Sequence, residues 1–416
     1  MIRKIITSVC LLLSLVSFAQ EGTASPYSFY GIGDVRFKGT IESRSMAGVQ
    51  VEQDSIHLNL DNPASYSNLK LTTFTVGGTY NLTTLKNDSG SEKAKRTTFD
   101  YLAIGLPVGK LGVAFGLIPY SSVGYKMQVF SDQAGGVNNR NYGTGGVSKA
   151  FLGGSYKITP SFNVGASVDY NFGRIETTNL EFVNGVSLGT REVNSADLSG
   201  VNFNFGAMYK GKLNKKLDFY SSLSYKLESK LASNNTRSLG TVSFNSGFDF
   251  SDVETTDEEK FEKNLTLPSE LKLGFGIGES KKWLVGAQFI TASEGDLANT
   301  YNTTPRASYE KAMKYSIGGY FIPNYGSFSN YAKRIVYRAG IKYEQTGLVV
   351  DSESIKDAGF SLGLGLPITG SFSNINFGFE LGKRGTTSSS LVQENYAKLS
   401  VGLSFNDRWF VKRKFE

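Results

Sequence analysis

Residues 161–173 read SFNVGASVDYNFG, and the two faces of this segment decide the fold. Phe162, Val164, Ala166, Val168, Tyr170 and Phe172 point one way, while Asn163, Gly165, Ser167, Asp169 and Asn171 point the other. A period of two is the mark of a β-strand. The same alternation runs through LGVAFGL (111–117), where Leu111, Val113, Phe115 and Leu117 oppose Gly112, Ala114 and Gly116. It returns in YRAGIKYE (337–344) and INFGFELG (375–382). Each segment has one apolar, aromatic face and one face of small, polar or charged residues.

A soluble sandwich or adhesin would cover the apolar faces with a second sheet or other protein. Repetition of the pattern in strands of about ten residues, with aromatic residues at strand ends, favours the inverted arrangement in which the apolar face meets lipid. A sheet can do this only as a closed barrel, because each backbone N–H and C=O in hydrocarbon needs a partner within the sheet. The runs predict an all-β chain, a transmembrane antiparallel β-barrel of about fourteen strands, at 71–84, 97–107, 111–128, 146–158, 161–182, 196–210, 216–230, 266–278, 283–293, 309–322, 335–347, 355–367, 374–384 and 394–406. Short links at 108–110, 158–161, 278–282 and 369–374 alternate with longer polar ones at 86–96, 131–146 and 231–264. Short turns read as periplasmic and long loops as extracellular, which places both termini in the periplasm. Segment 324–334, NYGSFSNYAKR, is long for a periplasmic turn.

The chain opens MIRKIITSVCLLLSLVSFAQ, with Arg3 and Lys4 before an apolar run and a small-x-small step at Ser17-Phe18-Ala19. This reads as a signal peptide, residues 1–19, cut before Gln20; an uncleaved anchor is the alternative. Cys10, the single cysteine, lies inside it, so the mature chain carries no disulfide or thiolate metal site. The apolar run continues beyond Cys10 through Leu15, which argues against lipidation there. The formal charge of +7 is spread among acidic residues, apart from a basic C-terminal end, and suits a membrane surface better than nucleic acid. Mean hydropathy is −0.20 although 47 of the 416 residues are glycine, more than the strands of a soluble domain would carry.

Residues 20–70 do not alternate, and they are too polar to span lipid. Ahead of a barrel at 71–416, their natural place is the lumen, as an N-terminal hatch or plug. Here the chain resembles the FadL/TodX family of outer-membrane transporters for hydrophobic compounds, which are fourteen-stranded barrels. The matching pieces are Gly31-Ile32-Gly33, Arg44-Ser45-Met46-Ala47-Gly48 and Asn62-Pro63-Ala64; LPSELKLGFGIGESKKWLVGAQF at 267–289 is similar to a hairpin of the same family. Asn-Pro-Ala by itself is an ordinary turn signal: Pro63 fixes φ and removes a donor, while Asn62 can bond its own local backbone. Between plug and first strand, it ends the hatch and aims the chain into the wall.

In IPYSSVGYK, Pro119 cannot donate to a ladder and Gly124 can relax the sheet, with Tyr120 between them. The resemblance implies a lateral gate here; a bulge near the outer rim is the plain alternative. Inward positions Asp169, Arg338, Lys342, Glu344, Glu380 and Lys398 put both signs of charge into one lumen, where burial compels pairing across the barrel or against the hatch. A greasy site would have to be built by the hatch and upper wall, with Phe29, Tyr30 and Phe37 as ligand contacts. His57, the single histidine, has Glu52 and Asp54 beside it, too few ligands for a metal and no nucleophile pattern for catalysis. No catalytic residue and no cofactor is expected.

The resemblance implies passive uptake of fatty-acid-like molecules through a hatch and a lateral wall opening. The alternative is a non-transporting barrel that serves as a subunit of an outer-membrane protein secretion or assembly complex. Expected partners are therefore outer-membrane lipid, with hydrophobic small molecules in the first reading and other outer-membrane or secreted proteins in the second. Transport predicts a continuous apolar pocket between loops and hatch. The subunit reading predicts a sealed polar lumen and a binding surface on the loops or rim.

Overall fold

A computed structural model describes residues 22–35, 39–131, 133, 135–244, 250–255, 258–295, 297 and 307–409. The wall begins with β1 (Thr72–Asn87), β2 (Gly90–Val108) and β3, which runs as Leu111–Pro119 and then Ser121–Val129. It continues with β4 (Val137–Lys157), β5 (Phe162–Val183), β6 (Leu188–Lys212) and β7 (Asp218–Lys226, then Ser229–Phe244). β8 (Phe250–Thr255, Glu259–Leu267 and Glu270–Glu279), β9 (Trp283–Ala292) and β10 (Ala307–Tyr309, then Ala312–Phe321) follow. β11 (Val336–Val350), β12 (Glu353–Pro367), β13 (Asn374–Arg384) and β14 (Gln393–Asp407) complete it. Sequential neighbours pair antiparallel, and β14 pairs with β1 from Asp407↔Thr72 to Gln393↔Lys86, which closes a 14-strand barrel.

The barrel is inverted relative to a soluble protein. On β5 the polar side chains of Asn163 and Asn171 are 0% exposed, whereas Tyr170 and Phe172 are 49% and 38% exposed on the outer wall. Apolar side chains face the lipid, and polar ones fill a lumen closed by the sheet.

Strand positions agree with the alternating runs, but several strands continue well past them at the loop end. The expected outer loop at 86–96 is instead a hairpin whose turn is Asp88–Ser89, paired from Thr73↔Gly105 to Asn87↔Gly90. β7 and β8 likewise continue through much of the segment expected as loop at 231–264, paired with each other, and β7 there also pairs with β6. The physical reason is that a ladder outside the bilayer keeps its hydrogen bonds with no need of an apolar face. Period-two hydrophobicity therefore ends where the lipid ends, not where the strand ends. Segment 324–334 is a long turn at the opposite end, closed by a short 3-10 helix at Tyr331–Arg334.

The described residues ahead of β1, 22–35 and 39–71, pack against the inner face of the wall. Among them are one short strand (Asp34–Val35), one helical turn α1 (Ile41–Arg44) and two 3-10 turns (Pro26–Phe29 and Pro63–Asn68). Irregular backbone can lie this close to a sheet only where the sheet has no side chain. Every wall strand except β1 and β7 turns a glycine toward this segment. A Cβ on Gly165 would lie 2.6 Å from Ala64 N, one on Gly340 2.5 Å from the Met46 carbonyl carbon, and one on Gly112 would collide with Tyr66 backbone. Several of these glycines face one another across the ladder, as in Gly276↔Gly286, Gly286↔Gly318 and Gly318↔Gly340. They form a belt around the lumen.

Polar side chains of the wall satisfy the backbone of the luminal segment where regular structure does not. Ala47 N donates to Ser361 Oγ at 2.9 Å, Gln50 N to Gln288 Oε1 at 3.0 Å and Ile41 N to Tyr101 OH at 3.1 Å. Gly340→Val should unseat the segment while the barrel still folds, with an overpacking cost of about 1–3 kcal/mol. The mutant is expected to conduct ions in a planar bilayer. Wild type and Gly154→Val, whose Cβ would have only Gly112 O at 3.9 Å, should stay closed.

Candidate functional site

Asn62 ends the luminal segment with bonds in two directions. Its Oδ1 accepts from Ala64 N at 3.0 Å and so caps the 3-10 turn that starts at Pro63. Its Nδ2 donates to the Leu223 carbonyl of β7 at 2.9 Å. Pro63 and Ala64 rest on Gly165, and Asn62 Oδ1 on Gly206. The turn expected from the sequence is thus also a clamp on the wall.

Gly31, Gly33 and Gly48 all adopt positive φ, at 62°, 90° and 94°, which a side chain would strain. Gly33 also abuts Ser122 and Val123 of β3, and Gly48 lies beside Lys314. Arg44 reaches Asp100 of β2 at 2.8 Å and Thr79 of β1 at 3.1 Å. The register between β1 and β2 slips at Gly77↔Tyr101 and Gly78↔Phe99, so Asp100 is the extra residue of a bulge. A bulge lets neighbouring residues turn to one face. Asp100 and Tyr101 both reach the lumen, where they hold Arg44 and Ile41.

Further ion pairs tie the luminal segment to the wall. Asp34 meets Arg384 of β13 at 2.7 Å, and Asp61 meets Lys272 of β8 at 2.6 Å. Burial opposes ionisation of Asp61, yet Lys272 holds its carboxyl below the ordinary range. Glu42 accepts from Asn376 at 2.8 Å, and Asn376 in turn accepts from Arg338 at 2.9 Å. Within the wall, Lys342 lies 3.2 Å from Asp357 and 2.8 Å from Glu380, and Lys149 lies 3.1 Å from Asp169. Lys398 stands 3.8 Å from Glu380, and Glu344 lines a cavity on the loop side. All six inward charges expected from strand parity therefore face the lumen.

That loop-side cavity holds about 230 Å³ between the luminal segment and the wall. Tyr30, Ile32 and Leu297 give it an apolar side, and Asp34, Lys272, Lys314 and Arg384 a charged one. Of the three aromatic ligand contacts expected from the sequence, Tyr30 lines it. Phe29 packs edge-on against Tyr125 at 5.1 Å, in a cluster on β3, and Phe37 lies outside the described residues.

β3 breaks after Pro119. Its first half pairs with β2 from Val108↔Leu111 to Leu102↔Leu117, but the pairs recorded for Gly90–Tyr101 of β2 run to β1 alone. Beyond the break, Ser121 and Ser122 pair with Val35 and Asp34 of the luminal segment. Tyr120 N donates to Val147 O at 2.8 Å, and Gly124 N to Ser28 Oγ at 3.2 Å. The ladder is open between upper β2 and upper β3, and part of the luminal segment lies on the exposed edge.

On the turn side, His57 Nδ1 lies 2.7 Å from Asp54 Oδ2, and the backbone N–H groups of Ile56 and His57 point at Asp54 Oδ1. Burial opposes both charges, but the His57 imidazolium and these donors hold Asp54 down to about 2, and Asp54 raises His57 above its ordinary value. Burial and the Asp54 charge push Glu52 up to about 7.

The fold is similar to that of the Pseudomonas putida toluene transporter TodX, with a TM-score of 0.60 at 16% identity over 91% of this chain and 100% of that one. It is similar to the monoaromatic hydrocarbon channel CymD (0.55, 14%, over 91% and 99%) and to a Pseudomonas aeruginosa FadL homologue (0.58, 9%, over 91% and 99%). At these identities the likeness is one of fold. No curated protein matches the sequence. A family model described as BamG matches residues 1–416.

Lys342→Met should remove the cation that Asp357 and Glu380 share, at a cost of about 3–5 kcal/mol. A lower urea midpoint for the heat-modifiable folded band would report it. His57 is the single imidazole in the chain, so NMR can titrate it alone. Its midpoint should lie above the unfolded value of about 6.5. The stabilisation from the Asp54 pair is then full below that value and lost as pH rises through the folded midpoint.

Proposed function

The chain belongs to the BamG family, and from that premise we propose that this FadL-like outer-membrane barrel acts as a sealed subunit of an outer-membrane protein secretion or assembly complex. The observation that carries the reading is the seat of the luminal segment. Its backbone rests on glycines from nearly the whole circumference, and its charges at Asp34, Arg44 and Asp61 each meet an opposite charge on a different wall strand. Moving such a plug would break several buried charge pairs at once, each costly to separate. The lumen is also a poor path for a hydrophobic molecule, because ionic and amide side chains line it from Arg384 to Arg338. The barrel then contributes its lipid-facing wall and its rims to an assembly.

A second reading is passive uptake of hydrophobic small molecules, the cargo in the names of TodX and CymD. The open ladder beside Pro119 favours it, as does the partly apolar loop-side cavity at Tyr30 and Ile32. In this reading the ligand leaves sideways between β2 and β3 into the membrane, so the plug need not move. Neither reading assigns a catalytic step to the chain.

Extraction from native membranes in mild detergent, followed by native mass spectrometry, separates the two. A stoichiometric complex with other envelope proteins and no small molecule in the barrel is the expected result. A monomer that carries a lipid or hydrocarbon would favour uptake.

A further inference from the structure

Below the luminal segment, at the short-turn end of the barrel, lies a cavity of about 780 Å³ that neither reading uses. The stretch Val49–His57 roofs it, and the long turn before β11 and the turn between β12 and β13 form its mouth. Short turns mark the periplasmic side of bacterial barrels.

Three properties set this cavity apart. Glu42 Oε2, Ser43 Oγ and Asn59 Nδ2 belong to side chains more than nine-tenths buried, line the cavity and have no hydrogen-bond partner. Gln50 Oε1, His57 Nε2 and Arg334 Nε, buried atoms of partly buried residues, line it and have no partner either. Polar atoms buried this deeply each cost about 1–3 kcal/mol when unpaired, so the set calls for an occupant that brings both donors and acceptors. The charge of the lining is lopsided: Lys70, Lys210, Lys281, Arg334, Arg338 and Arg408 outnumber Glu42, Glu52 and Asp54. Finally, the mouth is aromatic, with Phe328 wholly exposed and Phe372 and Tyr325 about half exposed.

We propose that this cavity is a receptor site for an extended, acidic peptide segment entering from the periplasm. Peptide backbone supplies donors and acceptors together, as the unpartnered Glu42 and Asn59 groups require. Its carboxylates would meet Lys281 and Arg334, and its apolar side chains Phe328 and Phe372. A nonpolar metabolite would leave the buried polar atoms unpaired, and an inorganic anion would not use the aromatic mouth. The proposal deepens the subunit reading, on which it rests for a source of the peptide.

The test uses the full mature chain in mild detergent and a fluorescein-labelled peptide of about ten residues that alternates glutamate with aromatic residues, long enough to span such a site in extended form. A twin with lysine for glutamate and empty micelles serve as controls. The acidic peptide should bind, with the lysine twin and the Lys281→Glu/Arg334→Glu variant each at least about tenfold weaker, as expected where charge sets the fit. Ser371→Trp, which narrows the mouth without changing charge, should also weaken binding, and all variants should keep the heat-modifiable folded band. Binding no tighter than to empty micelles, equal binding of the two peptides, or wild-type affinity in both variants would overturn the site. A native complex that survives such a result would leave the subunit reading intact and move its partner surface elsewhere.

Discussion

A chain without regular secondary structure can lie inside a barrel only if the wall gives its backbone both space and hydrogen-bond partners. In this protein the space comes from inward glycines, and the partners from Ser361, Gln288, Tyr101 and Asn204, each in reach of luminal backbone. The two requirements reinforce one another. Close approach brings a serine hydroxyl within reach of a backbone N–H, and that bond then holds the approach. The clamp at Asn62 shows both in one residue, with its amide on a strand carbonyl and its carbonyl oxygen over Gly206.

Charge follows from the same enclosure. A lumen lined by the polar faces of fourteen strands collects acids and bases away from bulk water, and desolvated charges persist there when paired. Lys342 between Asp357 and Glu380, and Arg44 against Asp100, meet that condition within the sheet and between sheet and luminal segment. The result is a barrel interior tied together by charge pairs, with apolar clusters such as Ile41, Leu58 and Tyr66 packed between them. At the broken third strand the ladder opens, and there Asp34 and Val35 of the luminal segment take the vacant edge.

Much of this was legible in the sequence because strand parity carries it. The alternation at 161–173 placed Asp169 and its neighbours in the lumen, and the same parity placed Lys342, Glu380 and Lys398. Lys272 and Asp357 sit on inward parity too, in LPSELKLGF and SIKDAGFS, and the same reasoning applied to every strand would have found them. Asp100 could not be found so, because a bulge resets parity and its position depends on register with β1. The glycine excess was visible, but its purpose was not, since the belt exists only once β9, β10 and β11 are aligned side by side. The loop-end extensions were hidden for the opposite reason: ladders beyond the lipid carry no hydrophobic signal.

The central claim is that the luminal segment is a fixed part of the barrel, and a reversible lock tests it most directly. A Cβ on Gly286 would lie 3.0 Å from Val49 Cγ1, roughly the Cβ-to-sulfur reach of a disulfide. Val49→Cys/Gly286→Cys, made together with Cys10→Ser so that no other thiol is present, should therefore close one bond between plug and wall. If the plug is fixed, oxidised and reduced protein will support growth and copurify with the same envelope proteins to the same extent. Loss of either in the oxidised form, restored by reductant, would show that the segment must move and would contradict the account.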